Sequence, residues 1–282
     1  MKVRMARRLR RRLAQAVIYA AAIVVLAAFL SPILWLFAIS LKTRAQIYAW
    51  PPLIWGFTPT WENYRGLFAA PAAFPRAVLN SLLVAAGATA AALLVGLPAA
   101  YALVGQRLRH ARAARAGVLM FRMIPPVALL LPYYLMARLT GLLGSLVAVG
   151  IVHFIFSLAI VIWMMRAAFA GLPTEVEEAA RIDGAGPGLV FRAIAVPMTR
   201  AAIAAAAIFA LLTSWNEFLF AITLSRLQTQ TIPAAVVGFV GDVYTSWGQL
   251  AAATILGLLP ALALAFLGQR WLLAGMAPGA VK

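Results

Sequence analysis

Acidic side chains, which can serve acid–base chemistry or bind metal ions, are rare in this chain of 282 residues and unevenly placed. Only seven are present, and four of them fall within residues 169–200. These four are Glu175, Glu177, Glu178 and Asp183. Grouped beside Arg181, they can form charge-assisted contacts with a partner molecule. The two histidines, His110 and His153, leave too few ligands for a metal site built from protein alone.

The lysine and cysteine content excludes several activities. None of the three lysines, Lys2, Lys42 and Lys282, follows a glycine, whereas the phosphate-binding loop of many ATPases ends in Gly-Lys-Ser/Thr. Because cysteine is absent, disulfides, thiolate zinc sites and thiol nucleophiles are excluded. We therefore expect a non-catalytic chain without metal or cofactor. If nucleotide powers its function, ATP must be hydrolysed by separate subunits.

The overall composition indicates a membrane protein. Hydrophobic residues make up 65% of the chain, charged residues 11%, and the mean hydropathy is +0.94. A bilayer core requires roughly 20 apolar residues per helical span. Six stretches meet this length: residues 14–40, 79–104, 116–138, 146–168, 201–223 and 247–268. The first is too long for the apolar region of a signal peptide, so we predict an all-α polytopic protein with six transmembrane helices.

The distribution of basic residues predicts the orientation of these spans. Seventeen of the 24 lysines and arginines flank one side of the predicted membrane and six flank the other. Loops rich in lysine and arginine stay on the cytoplasmic side. We therefore expect cytoplasmic N- and C-termini, 1–13 and 269–282, an external loop at 41–78, and a core domain at 79–268. The basic N-terminus suits anionic lipid, and we expect no nucleic-acid partner.

The cytoplasmic loop 169–200 should begin with a short helix. Pro173 stops the preceding span, and Thr174 followed by Glu177 has the spacing of a capping box. A helix is therefore predicted to begin at Thr174. Gly184 can supply the left-handed residue that ends it.

A second short helix is expected directly afterwards, from Gly186-Pro187 to about Val196-Pro197, because proline is favoured near the first position of a helix. Two such helices would form a compact knob. The residues alone leave two interpretations open: a docking element for a partner, or a solvated hairpin that joins two spans.

The residues of this knob resemble the EAA motif of permeases from ATP-binding-cassette (ABC) importers. That pattern is EAA, three residues, Gly, nine residues and I-x-L-P, and it is matched by Glu178-Ala179-Ala180, Gly184 and Ile194 to Pro197, with Val196 in place of leucine. Further similarity to the MalG-like permeases of carbohydrate importers is spread along the chain: Asn80-Ser81-Leu82, Ala99 to Leu103, Met123 to Pro126, Trp215 to Phe218 and Gly279 to Lys282.

This resemblance implies a type I importer with the MetI-like permease fold in the bacterial cytoplasmic (inner) membrane. Its implied partners are a second, MalF-like permease, two ABC ATPase subunits, an extracytoplasmic solute-binding protein and membrane lipid. The solute would be a sugar or oligosaccharide, moved by alternating access. Runner-up interpretations are the same machinery for another solute, such as glycerol phosphate, or an ion-coupled secondary transporter.

The resemblance also implies roles for individual residues. The residues implied to couple the permease to the ATPases are Glu178, Ala179, Ala180, Asp183, Gly184 and Pro197. In the tail, Gly279 and Lys282 are implied to contact an ATPase. The family often has serine where this chain has Gly186, which weakens the cap of the second short helix.

Polar residues inside the predicted spans are candidates for the solute pathway, because ionisable groups are costly in a bilayer. Trp215, Asn216 and Glu217 occupy the fifth span. Glu217 either lines the pathway or makes an interhelical hydrogen bond, protonated or paired with arginine. Arg122 is expected to reach the cytoplasmic interface or an acid on another subunit, and His153 to be a satisfied interhelical histidine.

Overall fold

The computed structural model describes residues 2–69, 73–104, 111–241 and 245–276. These residues are mostly helical and form no strand, with a single isolated bridge between Val240 and Thr245. The all-α prediction is therefore confirmed. The chain divides into two compact units, one containing Met1–Ala69 and Phe239–Leu256, the other Ala70–Gly238 and Gly257–Lys282.

The first unit begins with a long apolar helix. Helix α1 covers Lys2–Ser40, and the short helices α2 (Arg44–Ile47) and α3 (Glu62–Ala69) follow. From Arg12 onward α1 is long and apolar enough to cross a membrane.

The segment between α1 and α3 is held together by polar contacts. The Lys42 side chain is buried, and its Nζ donates to the Leu53 carbonyl at 2.6 Å. The ammonium group also lies over the rings of Trp35 and Phe57, 5.3 and 4.8 Å from their centroids. Thr43 and Gln46 form a complete capping box at the start of α2. The segment is thus an ordered surface element.

The second unit is a bundle built on two long helices. Helix α4 (Ala73–Ala102) packs along α7 (Leu146–Ala170), and α11 (Arg200–Trp215) packs against both. Small side chains line these contacts, among them Ala92, Ala100, Ala206 and Ala210, each 0% exposed. Alanines let helix backbones approach closely, which is how helices associate within a membrane.

The remaining helices of the core are shorter, apart from the last. They are α5 (Ala111–Met123), α6 (Pro126–Leu139), α8 (Thr174–Ile182), α9 (Pro187–Val190), α10 (Val196–Met198), α12 (Leu219–Leu224), α13 (Ile232–Val237) and α14 (Trp247–Met276). A π-helical segment, Phe191–Ala195, connects α9 to α10. The predicted span 247–268 is part of α14, which continues to Met276.

Two of the six predicted spans differ from a straight helix. Four helices, containing the first, second, fourth and sixth spans, are long and apolar enough to cross a membrane, and the count reaches six if each bent helix pair is one span. The predicted span 116–138 is bent by 97° between α5 and α6, where Pro125 and Pro126 remove backbone donors and disfavour helix in the preceding residue. The second bent pair, Pro187–Met198 and Arg200–Trp215, meets at 79°. The predicted span 201–223 is helical as far as Trp215 and again from Leu219.

The turn after α12 is fastened to the beginning of α4. The amide of Asn80 donates to the carbonyls of Gln228 and Gln230 at 3.1 and 2.9 Å. The Ser81 hydroxyl accepts from the backbone N–H of Ile232 at 2.8 Å. Asn80 and Ser81 are buried, so these side chains satisfy backbone groups that would otherwise be buried unpaired.

Candidate functional site

The knob predicted at 169–200 is present, and its first helix begins where expected. Helix α8 starts at Thr174, but its N-cap is Pro173 and no side-chain cap is formed. The predicted capping box is therefore wrong. Glu177 accepts from Arg181 at 3.0 Å one turn along the helix instead, and a proline at the N-cap places Thr174 inside the helix.

The end of α8 is closed by the glycine that the sequence indicated. Gly184 has a φ of +88°. Its N–H donates to the Arg181 carbonyl at 3.0 Å, and the N–H of Ala185 donates to the Ala180 carbonyl at 2.9 Å. These two bonds form a Schellman motif, in which a left-handed residue satisfies the last carbonyls of a helix. The predicted role of Gly184 in ending the helix is confirmed.

The residues implied to couple the chain to ATPases lie mostly on the surface. Glu178, Ala179, Asp183 and Gly184 are exposed at the C-terminal end of α8, and Ala180 is half-buried. Ile182 between them is 87% exposed. Pro197 is also exposed but lies on α10, so the candidate residues occupy two helices of the knob.

Three aromatic rings join the knob to the long helices of the core. The ring centroid of Tyr101, at the end of α4, lies 5.4 Å from that of Phe169 and 5.3 Å from that of Phe191. Phe169 belongs to the last turn of α7, and Phe191 starts the π-helical segment of the knob. We call these three residues the aromatic joint. Residue spacing does not indicate this contact, although Tyr101 lies within one of the family-like stretches.

A cavity opens beside the aromatic joint. It has a volume of about 570 Å³, and its lining includes Tyr101, Phe191 and the Glu177–Arg181 ion pair. Tyr101 of α4 and both members of this pair on the knob therefore face the same cavity.

A polar cluster lies deeper in the bundle, around His153 of α7. Nδ1 of His153 lies 2.7 Å from the Ser214 hydroxyl, and Nε2 lies 3.1 Å from a Glu217 carboxylate oxygen. The same carboxylate accepts from the backbone N–H groups of Phe220 and Ala221, each at 3.0 Å. Glu217 thus caps the start of α12 where the predicted fifth span is broken.

The three pathway candidates of the fifth span occupy different environments. Trp215 is 4% exposed, and its indole N–H donates to the Gly257 carbonyl at 3.0 Å. This burial argues against a role for Trp215 in lining a pathway. Asn216 is exposed and donates to the Leu212 carbonyl of its own helix, while the Glu217 side chain is 16% exposed. Glu217 makes an interhelical contact, as one interpretation expected, but its partner is a histidine.

Arg122 also has a partner that the sequence did not indicate. Its guanidinium carbon lies 4.8 Å from the ring centroid of Trp163 on α7, a cation–π arrangement. Phe156 of α7 contacts the rings of Phe121 and Phe220. The tail candidates Gly279 and Lys282 lie outside the described residues.

Comparison with known proteins identifies the family. Residues 92–277 match the family described as "Binding-protein-dependent transport system inner membrane component". The trehalose transport system permease protein SugB of Mycobacterium tuberculosis is 31% identical over 256 residues, which are 90% of this chain and 92% of SugB. The lactose transport system permease protein LacG of Rhizobium radiobacter is 32% identical over 277 residues, 97% and 98% of the two chains.

Solved structures confirm the fold. A chain from a bacterial ABC transporter involved in the import of the acidic polysaccharide alginate superposes with a TM-score of 0.76 at 19% identity, covering 92% of this chain and 96% of that one. A chain of the MetNI methionine ABC transporter, in an inward-facing conformation, gives a TM-score of 0.62 at 20% identity and covers 72% and 96%. The fold is therefore that of type I importer permeases. With two thirds of its length matched by the family, this chain belongs to the binding-protein-dependent transport system inner membrane components.

Proposed function

We propose that this chain is a non-catalytic permease subunit of an ATP-driven saccharide importer, and that separate ATPase subunits dock on its knob. The exposed end of α8, closed at Gly184 and attached to the core through the aromatic joint, is the observation that carries this proposal. The saccharide class is supported by relatives named as trehalose and lactose permeases, which align along 90% and 97% of this chain.

The chemistry of the α8 surface suits a protein partner. Ile182 offers an exposed apolar side chain, and Ala179 beside it is small enough for close approach. Glu178 and Asp183 flank this patch and can pair with cationic groups on the ATPase. An apolar centre with a charged rim is the usual composition of a protein–protein interface.

The aromatic joint gives the docked knob a mechanical connection to the membrane helices. Phe191 moves with the knob, whereas Tyr101 and Phe169 belong to α4 and α7. Packed rings transmit displacement because interiors are close-packed and resist compression. When two ATPases close on ATP, tilting of the knob therefore moves α4 and α7 as rigid bodies, which is the step that alternating access requires.

The orientation of the chain follows from its basic residues. In this proposal both termini and the knob are cytoplasmic, while residues 41–78 and 225–246 face outward toward a solute-binding protein. Gly279 and Lys282 of the tail then contact an ATPase, and a MalF-like permease supplies the other half of the pathway. Reporter fusions test the orientation: fusions at 110, 185 and 282 should be cytoplasmic and those at 60 and 235 external, and an external 185 would rule out ATPase docking.

The polar cluster around His153 supports ATP-driven transport over ion coupling. An ion-coupled carrier needs an intramembrane acid with free ligand capacity. Both carboxylate oxygens of Glu217 instead already have partners, namely His153 and two backbone N–H groups. We therefore assign Glu217 to holding the broken fifth span together.

Reconstitution tests the complete proposal. The chain, its MalF-like partner, the ATPase pair and the binding protein are assembled in vesicles, and uptake of labelled trehalose and lactose is measured. Uptake should require ATP on the knob side, and the isolated chain should neither bind nor hydrolyse ATP. Uptake driven by an ion gradient without ATP would contradict the mechanism, and ATP-driven uptake of a non-saccharide alone would contradict the solute class.

A further inference from the structure

A polar cavity in the first unit is not used by any step of the proposed mechanism. It has a volume of about 310 Å³ and lies between α2, the start of α3 and the start of α14. Hydroxyl, amide, carboxylate, guanidinium and aromatic groups all line it. Its lining includes Arg44, Tyr48, Glu62, Ser246, Trp247 and Gln249.

The walls of this cavity are fixed in place by hydrogen bonds that some of its lining residues make. The Asn63 amide donates to the carbonyls of Ser40 and Lys42 at 2.9 and 2.8 Å, which fastens α3 to the end of α1. The Tyr48 hydroxyl donates to the Thr245 carbonyl at 3.3 Å, which joins α2 to the segment before α14. The cavity is therefore already formed before any ligand arrives.

The first turn of α14 also fits closely against α3. A Cβ on Gly248 would overlap the Asn63 side chain, so glycine lets that side chain pack directly against the α14 backbone. Trp247 and Gln249 on either side of this glycine consequently lie at the cavity wall, and Trp247 is 46% exposed. Residues nearly two hundred positions apart in the chain thus form one surface.

Several lining groups keep hydrogen-bonding capacity for a ligand. Within the described residues, the carboxylate of Glu62, the amide of Gln249 and the indole N–H of Trp247 have no hydrogen-bond partner. A carboxylate accepts two or more bonds, an amide both donates and accepts, and an indole offers an apolar face and one donor. The combination matches a ring that carries hydroxyl groups on its edge and C–H groups on its face.

We infer that this cavity is a binding site for a neutral saccharide on the outer surface of the permease, separate from the translocation pathway. Among the described lining residues one carboxylate and one guanidinium are present, so their formal charges balance and do not favour a net charge on the ligand. Its volume lies at the lower end of small-molecule sites, which suits a single sugar unit or the end of an oligosaccharide. The inference rests on the proposed orientation and function, since it places residues 41–69 and 245–249 outside.

Cysteine labelling tests the site directly, because the chain contains no cysteine of its own. Ser246→Cys is nearly isosteric and lies in the cavity wall, while Ala45→Cys on α2 lies outside the lining and serves as the matched control. Both are introduced into the assembled permease–ATPase complex without binding protein, and a membrane-impermeant maleimide is added from outside. Trehalose or lactose should slow labelling at Ser246→Cys but not at Ala45→Cys, and methionine should slow neither.

A charge-neutral variant measures the contribution of the carboxylate. Glu62→Gln should raise the saccharide concentration that gives half-protection by about tenfold, because hydrogen bonds to charged groups are stronger than neutral ones. Arg65→Gln, on the same helix but outside the lining, should leave that concentration unchanged.

The possible failures are distinguishable. Labelling of Ser246→Cys only from the cytoplasmic side would overturn the proposed orientation and the site with it. External labelling without protection by either sugar would overturn the saccharide site and leave the importer function standing. Thr245→Cys is a second reporter in the same wall, and failure of both cysteines to react would show a cavity closed to ligands, which also overturns the inference.

Discussion

Nε2 of His153 lies 3.1 Å from the carboxylate of Glu217, a residue 64 positions along the chain in the break between α11 and α12. The His153 side chain is fully buried and its Nδ1 contacts the Ser214 hydroxyl, so α7 is tied to both sides of the break in the fifth span. When Glu217 is ionised its carboxylate only accepts, and the contact then requires a proton on Nε2. At this break the Glu217 carboxylate binds backbone N–H groups of α12 that apolar packing alone would leave unpaired.

Replacement of Glu217 should lower stability more than transport. Glu217→Ala removes the acceptor of two backbone N–H groups and of His153, and we expect a loss of about 1–3 kcal/mol for the buried groups left unpaired. Glu217→Gln keeps one acceptor oxygen and should lose less. The measurement is thermal unfolding of the purified complex in detergent, with uptake normalised to assembled complex.

Asn216→Ala provides the control for this series, because its amide bonds only to its own helix at Leu212 and is exposed. It should leave stability nearly unchanged. If Glu217→Gln retained full stability yet abolished uptake, Glu217 would line the pathway and the structural role assigned to it would be incorrect.

The long helices were predictable from composition, and the breaks were not. Apolar length alone located α1, α4, α7 and α14, because a bilayer span needs little more than length and hydropathy. Hydropathy averaged over a whole span did not reveal the break after Trp215, because the apolar neighbours of Asn216 and Glu217 keep the average high. A helix can stop inside the membrane only where other groups bind its unpaired backbone N–H and C=O groups. Sequence spacing does not indicate that His153 would hold Glu217, which binds these N–H groups at the start of α12.

In the knob, too, features set by neighbouring residues were predictable from the sequence, whereas contacts between distant segments were not. Gly184 was predicted to end α8 because a left-handed residue is a local requirement of the chain. The capping box at Thr174 was wrong because a second local signal, Pro173, took the N-cap position and left Glu177 to pair with Arg181. The aromatic joint was missed because its rings come from three separate segments, and nothing in the spacing of Tyr101 relates it to Phe191.

The aromatic joint should affect coupling without affecting docking. Phe191→Ala removes two ring contacts, to Tyr101 and Phe169, each worth about 0.5–1.5 kcal/mol beyond burial. We expect the ATPases to co-purify normally, while the amount of solute moved per ATP hydrolysed falls. Phe191→Leu, which restores part of the apolar volume, should fall less.

Phe121→Ala is the matched control for the joint, because it removes a ring contact of similar distance, to Phe156, away from the knob. It should not change the ratio of transport to hydrolysis. Equal loss of coupling in both variants would mean that general loosening of the bundle, and not the joint, is responsible.

Asn80 and Ser81 hold the 225–231 turn in place. We predict that loss of these contacts impairs the proposed external side of the permease, not the knob. Asn80→Ala leaves two backbone carbonyls without their donor and should cost about 1–3 kcal/mol. Because the turn leads into the segment proposed to face the binding protein, stimulation of ATPase activity by binding protein should decrease while basal activity stays. Thr213→Ala, whose exposed hydroxyl bonds only within its own helix, should change neither.

The sharpest prediction concerns Gly184, because two substitutions at this position distinguish the effect of backbone strain from the effect of contact with a partner. Its φ of +88° favours glycine, and any residue with a Cβ should cost roughly 1 kcal/mol. Within the described part of the chain, a Cβ at Gly184 meets nothing within 4 Å, so bulk added there is felt only by a docked partner. Gly184→Ala should therefore be mild, whereas Gly184→Asp should lower co-purification of the ATPases and abolish uptake.

A substitution at Gly141 is the control that distinguishes impaired ATPase docking from backbone strain. It has a φ of +71°, is exposed, and likewise has open space around an added Cβ among the described residues, but it lies in the turn between α6 and α7 instead of the knob. Gly141→Asp carries the same backbone penalty and the same added charge, and it should retain ATPase association and uptake. Wild-type uptake by Gly184→Asp, or equal loss in both variants, would show that the knob is a solvated connection and that energy enters the permease elsewhere.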